Sequence, residues 1–404
     1  MYARPKVADE EYDARKAKLR QLLCLTQKGI DELVANYPEA LNLDIDGNIM
    51  PKLEMLQRRL GIDQKGAGHI LKAKRLIGTK KETLEARVNY LQNDLDLSDE
   101  KIAKLLVANP DLLARSIKNH YEPLFNALQT SFGFTQEEIV KLAMKNAQVL
   151  YRPSVEKVES TSCFLPNVLG LSVDEKEGLK KCLLKCPSLL TNTESNLKES
   201  NEWILNLVGN SQSVAGRVCR NRPDLLGYSV DLLQDKVDWY RDRLSLTEEE
   251  FRKVVATYPT IMALGIEDGK MDKKLCHIQQ LFDINDKELK ELFLSRPELF
   301  VLSAEKNIEP KLELYGSLIG KERTRKLVVE SPYLLLWSMK RVITPRLEEV
   351  DRAYEYVEWT ETLLRRLVLR KPKRWCDYML DDAPRAKGEK LDDSGKYKRF
   401  VKKR

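Results

Sequence analysis

Arg296-Pro297-Glu298-Leu299-Phe300 and, seven residues further on, Ile308-Glu309-Pro310-Lys311-Leu312 decide the fold. The pattern returns as Ser331-Pro332-Tyr333-Leu334-Leu335 and Ile343-Thr344-Pro345-Arg346-Leu347. Working outward, a proline followed three positions later by an apolar residue recurs at Pro38, Pro110, Pro187, Pro223, Pro259, Pro297 and Pro332. Ala147…Leu150 keeps the frame without the proline, and Lys74…Ile77 keeps it with a residue of slack. The steps are 36, 36, 37, 40, 36, 36, 38 and 35 residues, and Pro372…Trp375 is a worn tenth copy after another 40. A period in this range predicts a solenoid of small supersecondary units, whose function lies on an extended surface.

Each period has room for two helices. Before the marker proline stands an apolar triplet at i, i+3, i+4, such as Ile139/Leu142/Ala143, Phe251/Val254/Val255 and Leu289/Leu292/Phe293. That spacing puts three apolar groups on one helix face. Thr135-x-x-Glu138 and Thr247-x-x-Glu250 read as capping boxes, with Thr26, Ser98 and Thr360 in the same place. The first helix is expected to fill the 12 residues from cap to proline, about 18 Å. The proline ends it. A second triplet at i, i+3, i+7 follows, as in Leu53/Leu56/Leu60, Leu312/Tyr315/Ile319 and Leu347/Val350/Tyr354. Pro51, Pro123, Pro310 and Pro345 stand where a first-turn proline belongs. The expected fold is all-α, an α-solenoid superhelix of about nine to ten helical-hairpin repeats. Residues 1–19 form an N-terminal lead, 20–376 the array and 377–404 a basic C-terminal tail.

Composition narrows the class. No run approaches the roughly 18 apolar residues of a membrane span, and no membrane partner is expected. Seven scattered cysteines without a CxxC pair indicate neither a disulfide framework nor zinc, and suit a reducing compartment. Asp9, Glu10, Glu11 and Asp13 do not read as a transit peptide, so an imported protein would stand here in mature or trimmed form. The net charge is +7, yet residues 385–404 hold nine basic groups against three acids. The remainder carries 60 basic and 59 acidic groups, so it binds a polyanion only by segregating its charges.

The sequence of cap, helix, x-x-Pro-x-x-Leu, turn and Pro-[Lys/Arg]-hydrophobic helix resembles the mitochondrial transcription termination factor (mTERF) family. The closest copies are the two quoted at the outset, and the likeness covers essentially the whole array. The resemblance implies a curved superhelix of helical hairpins in mitochondria or plastids. It implies action in organelle gene expression: gripping duplex DNA and terminating transcription, binding RNA, or sitting with the organellar ribosome.

Candidate binding residues fall in two groups. Lys118, Lys306 and the Lys340-Arg341 pair lie eight or nine residues after the marker proline or its frame, and Lys52, Lys311 and Arg346 follow the first-turn proline. Recurring once per repeat, they would form a stripe that tracks phosphates. The tail Lys396-Tyr397-Lys398-Arg399-Phe400-Val401-Lys402-Lys403-Arg404 interleaves cations with two aromatics, suited to phosphates and an unpaired base. Left alone it should be disordered. Arg222, Arg296 and Lys371 sit at helix C-termini, where the helix end itself explains a cation.

Asn42-x-Asp44-x-Asp46-Gly47 imitates an EF-hand loop, but Leu53 stands where the bidentate Glu belongs. His69, His120 and His277 are isolated, and Gly66-Ala67-Gly68 lacks the Lys-Ser/Thr of a phosphate loop. No catalytic site, cofactor, metal or small-molecule substrate is expected. The expected partners are duplex DNA or structured RNA, including rRNA. The alternative is a structural subunit or adaptor among organellar ribosomal proteins.

Overall fold

The computed structural model describes residues 9–172, 175–357, 359–369 and 400–402. The fold is all-α: twenty helices occupy the described residues, with two short strands near the C-terminal end. One array was expected over 20–376; the chain falls into two compact units, Met1–Glu202 and Trp203–Arg404. The division falls inside the helix Glu194–Leu207. Both units are built from the same hairpin.

One hairpin of the second unit shows the plan. Asn285 caps the first helix, Asp286–Ser295, and buries Leu289, Leu292 and Phe293 on its inner face. Arg296 leaves helical geometry at φ −145°, ψ 65°, in keeping with the bias of a residue before proline. Pro297 then opens a tight 3₁₀ turn, Pro297–Val301, that buries Leu299 and Phe300. The second helix, Glu309–Ile319, follows. The first helices are shorter than cap-to-proline spacing suggested. Gln136–Lys145 and Glu248–Thr257 have 10 residues each, about 15 Å, because the residue before the 3₁₀ turn, Asn146 or Tyr258, is already outside the helix.

Thr135/Glu138 and Thr247/Glu250 form both bonds of a capping box, and Asn285/Glu288 forms a third. Thr26 and Thr360 accept from backbone N–H groups. Ser98 makes no such bond.

A feature absent from the sequence reading precedes four second helices. Ile45–Ile49, Ile117–Tyr121, Ala304–Ile308 and Met339–Ile343 are single wide turns. Ile308 N–H reaches Ser303 carbonyl and Ile343 N–H reaches Ser338 carbonyl, five residues back. These are the four helices with a first-turn proline: Pro51, Pro123, Pro310 and Pro345. In a continuous α-helix the ring would strike the carbonyl four residues earlier, and one widened turn makes room for it. The helices Val155–Leu169 and Val230–Leu244 lack that proline and start directly from Ser154 and Ser229.

At the C-terminal end the helix Thr344–Ala353 stops one residue short of Tyr354. Tyr354–Val357 is instead a strand, paired antiparallel with Phe400–Lys402. This corrects the helical assignment of Tyr354; Tyr-Glu-Tyr-Val suits a pleated strand. It also gives the tail backbone structure at three residues where none was expected.

Candidate nucleic-acid interface

The seven array cations singled out in the sequence separate by depth. Lys52, Lys311 and Arg346 are only 1%, 2% and 7% exposed. Lys52 Nζ donates to the carbonyls of Ile77 and, at 2.9 Å, Thr79. Lys311 Nζ donates to the Leu335 carbonyl and to Asn307 Oδ1. Arg346 Nη1 donates to the carbonyls of Leu367 and, at 2.9 Å, Val368. Their place on a phosphate-tracking stripe is therefore corrected: each is an internal strut between a second helix and the following repeat. The acceptors are carbonyls at the end of a short helix, which have no partner within it and favour a cation.

The strut recurs beyond those three. Arg87 donates to the Leu113 carbonyl and Lys236 to the Leu264 carbonyl. Buried tyrosines add a second tie one turn along: Tyr240 Oη donates to the Ile261 carbonyl at 3.3 Å, and Tyr315 Oη to the Leu334 carbonyl at 3.0 Å. Leu124 occupies the strut position of the third repeat, and there His120 Nε2 meets the Leu150 carbonyl at 3.0 Å instead. Burial pushes Lys52 and Lys311 down to about 8.

Lys118, Lys306, Lys340 and Arg341 are exposed. All four lie in the wide turns that open second helices. Ser116, Ser303 and Ser338 cap those turns and fix their path: Ser303 Oγ accepts from Lys306 N–H at 3.1 Å, and Ser338 Oγ from Arg341 N–H at 3.2 Å. None of the four side chains forms an ion pair or hydrogen bond among the described residues. A cation at a helix N-terminus opposes the helix dipole, so local stability does not account for them. A helix start of this kind suits an anion.

Sequence reading missed Lys270 and Lys273. With Lys274, His277 and Ser303–Glu305 they line a cleft of about 320 Å³. His277 Nε2 lies 2.9 Å from Glu309 Oε1. The signal was the run Lys270-x-x-Lys273-Lys274, hidden because Glu267 and Asp268 occupy the positions where the next two repeats carry cations.

Of the tail candidates, Lys396, Tyr397, Lys398, Arg399, Lys403 and Arg404 lie outside the described residues, while Phe400 and Lys402 belong to the C-terminal strand. The imitation EF-hand loop is a wide turn that Asp44 caps, accepting from Asp46 N–H at 3.1 Å. No group of His, Cys, Asp and Glu among the described residues is arranged to hold a metal.

The chain that folds into these hairpins has relatives among known proteins. The family model for mTERF matches residues 19–323. The chain belongs to the mTERF family. One curated relative is the chloroplastic transcription termination factor MTERF8 of Arabidopsis thaliana, 26% identical over 180 residues. The match covers 44% of this chain and 34% of that mTERF protein, so the chain spans about a third of the relative's length. The repeat continues structurally past the mTERF match, through the 3₁₀ turn Pro332–Leu335 and the helix Glu361–Leu369.

Proposed function

We propose that this mTERF-family protein binds nucleic acid in a mitochondrion or plastid, through the cations of its wide turns. Lys118, Lys306, Lys340 and Arg341 are the phosphate contacts, and Lys270 and Lys273 extend them. Membership of the mTERF family and a relative named as a transcription termination factor support a role in transcription termination or regulation, or in RNA and ribosome biogenesis. The single observation that carries the reading is that Lys118, Lys306, Lys340 and Arg341 are exposed without ion pairs at helix N-termini, where only an external anion favours them; Lys270 differs, lying 3.6 Å from Asp268 Oδ2.

The test is the triple variant Lys306→Glu, Lys340→Glu, Arg341→Glu, titrated with duplex DNA and with RNA over a range of salt. Affinity should fall for any sequence. Each lost phosphate contact should lower the log–log salt slope by about 0.9 on duplex DNA or about 0.7 on single strands. Unaltered affinity in the folded variant would mean these are ordinary surface charges.

A second reading, a subunit held in an organellar ribosome, rests on the charge distribution. The tail from 385 holds nine of the chain's basic groups against three acids, and the rest is nearly neutral. Sedimentation of the native protein with ribosomal particles rather than with DNA would favour it.

A further inference from the structure

We propose that Trp337 stacks on an unpaired base of the bound nucleic acid while Lys340 and Arg341 take the adjoining phosphates. This rests on the nucleic-acid reading above and goes further, because it names the state of the nucleic acid at this turn.

Trp337 is 37% exposed, and the other large apolar side chains exposed to that degree among the described residues are aliphatic: Val107 and Met144. Trp203, by contrast, donates its indole N–H to Gln234 Oε1 at 3.1 Å, and Trp239 packs against Tyr240. The Trp337 ring meets no other ring, and its N–H no acceptor, among the described residues. Its place in the repeat, one residue before the cap of a wide turn, is taken elsewhere by Leu43, Arg115 and Leu302. Leu43 and Leu302 are half-buried. The last of these turns alone sets an indole in the open.

The platform beneath the ring is fixed. Leu334 and Leu335 are buried on one side and Ile343 on the other. Arg346 pins the following helix to the Leu367 and Val368 carbonyls. A contact so held loses little freedom on binding. No acid lies between Glu330 and Glu348, so the ring is flanked in sequence by cations only. An indole and two unpaired cations on one short turn match a ligand with a flat π-face next to an anion, which is a nucleotide. In a duplex the base faces are already stacked, so the ring reaches only an unpaired nucleotide.

The full chain carrying Trp337→Ala, Trp337→Tyr or Trp337→Leu is titrated with an unstructured RNA of about 20 nucleotides and with a blunt duplex of equal length. A thermal melt confirms folding. Trp337→Ala should bind the single strand about tenfold more weakly, with an unchanged salt slope. Its duplex affinity should stay as in the parent protein. Trp337→Tyr should recover most of the loss and Trp337→Leu should not. The proposal is overturned by a folded Trp337→Ala protein that keeps its single-strand affinity. Equal weakening on both ligands overturns it too, as does recovery by leucine, which would mark a plain apolar contact such as a protein makes. A parent protein that binds duplex alone, through Lys340 and Arg341, refutes the stacking and leaves the wider reading intact. A parent protein that binds neither ligand refutes both.

Discussion

Lys306 and Lys311 stand five residues apart and have opposite fates. Lys306 is in the open turn, while Lys311 is 2% exposed with its ammonium on the Leu335 carbonyl and Asn307 Oδ1. Substitution should separate the two kinds. Arg346→Glu puts a carboxylate against the carbonyls of Leu367 and Val368 and should cost roughly 3–5 kcal/mol. Lys340→Glu on the open turn should shift stability by less than about 0.5 kcal/mol. Chemical denaturation of both variants checks the contrast. The struts also predict a pH profile. Lys52 and Lys311 fall to about 8 in the folded chain against an ordinary 10.5. Above about pH 8 the folded chain releases protons that the unfolded chain still holds, so stability rises with pH across that window. Buried tyrosines act in the opposite sense. Tyr90 is pushed up to about 12, and Tyr121, Tyr240 and Tyr315 also rise, so above pH 10 the unfolded chain loses protons first and stability falls. Urea midpoints measured from pH 7 upward should therefore pass through a maximum between these limits, with the rising limb reduced in Lys311→Met.

At the scale of the element, the first helix is held by its cap and its triplet. Leu292 is 5% exposed and lies between Leu289 and Phe293, so Leu292→Ala should cost roughly 2–5 kcal/mol. Asn285→Ala breaks a capping box and should cost about 1 kcal/mol, whereas Ser98→Ala, which removes no capping bond, should be close to neutral. Thermal melts of the three variants give the ranking. The first-helix triplets were legible because i, i+3, i+4 spacing survives any exchange among apolar residues. The second helices were legible only in part. Lys311 is buried while Leu312 is half-buried, and Arg346 is buried while Leu347 is half-buried. A lysine reads as surface in a sequence, since nothing local reveals the carbonyls it meets some 24 residues later. The wide turns were hidden for a related reason. First-turn proline is ordinary in a helix, and the fifth-residue bond it forces appears only once Ser303 or Ser338 has set the turn's start.

At the scale of the molecule, the period was the strongest signal and the binding surface the weakest. The repeat spacing led to the mTERF fold, and the family match over residues 19–323 agrees with it. The division into Met1–Glu202 and Trp203–Arg404 left no composition signal, because it falls within a helix rather than a linker. Charge acts at this scale too. Deleting 385–404 removes nine basic and three acidic groups and, with them, the strand that pairs with Tyr354–Val357. A two-strand ribbon adds little stability by itself, so the melting temperature should hardly move while association with RNA or ribosomal particles falls. Undiminished co-sedimentation of the shortened protein would assign recognition to the repeats alone.

The struts also set where such a protein can be cut. Counted by sequence period, a unit ends with its second helix, and Ile319 looks like a natural stopping point. Cut there, the chain keeps Lys311 and Tyr315 but loses the Leu335 and Leu334 carbonyls that receive them. A chain extended through Leu336 keeps both acceptors, together with the helix Lys321–Glu330 that leads to them. The exchangeable module is thus out of phase with the repeat: it runs from one 3₁₀ turn to the end of the next. Grafting, shortening or shuffling units in that phase should give soluble chains where cuts between hairpins do not.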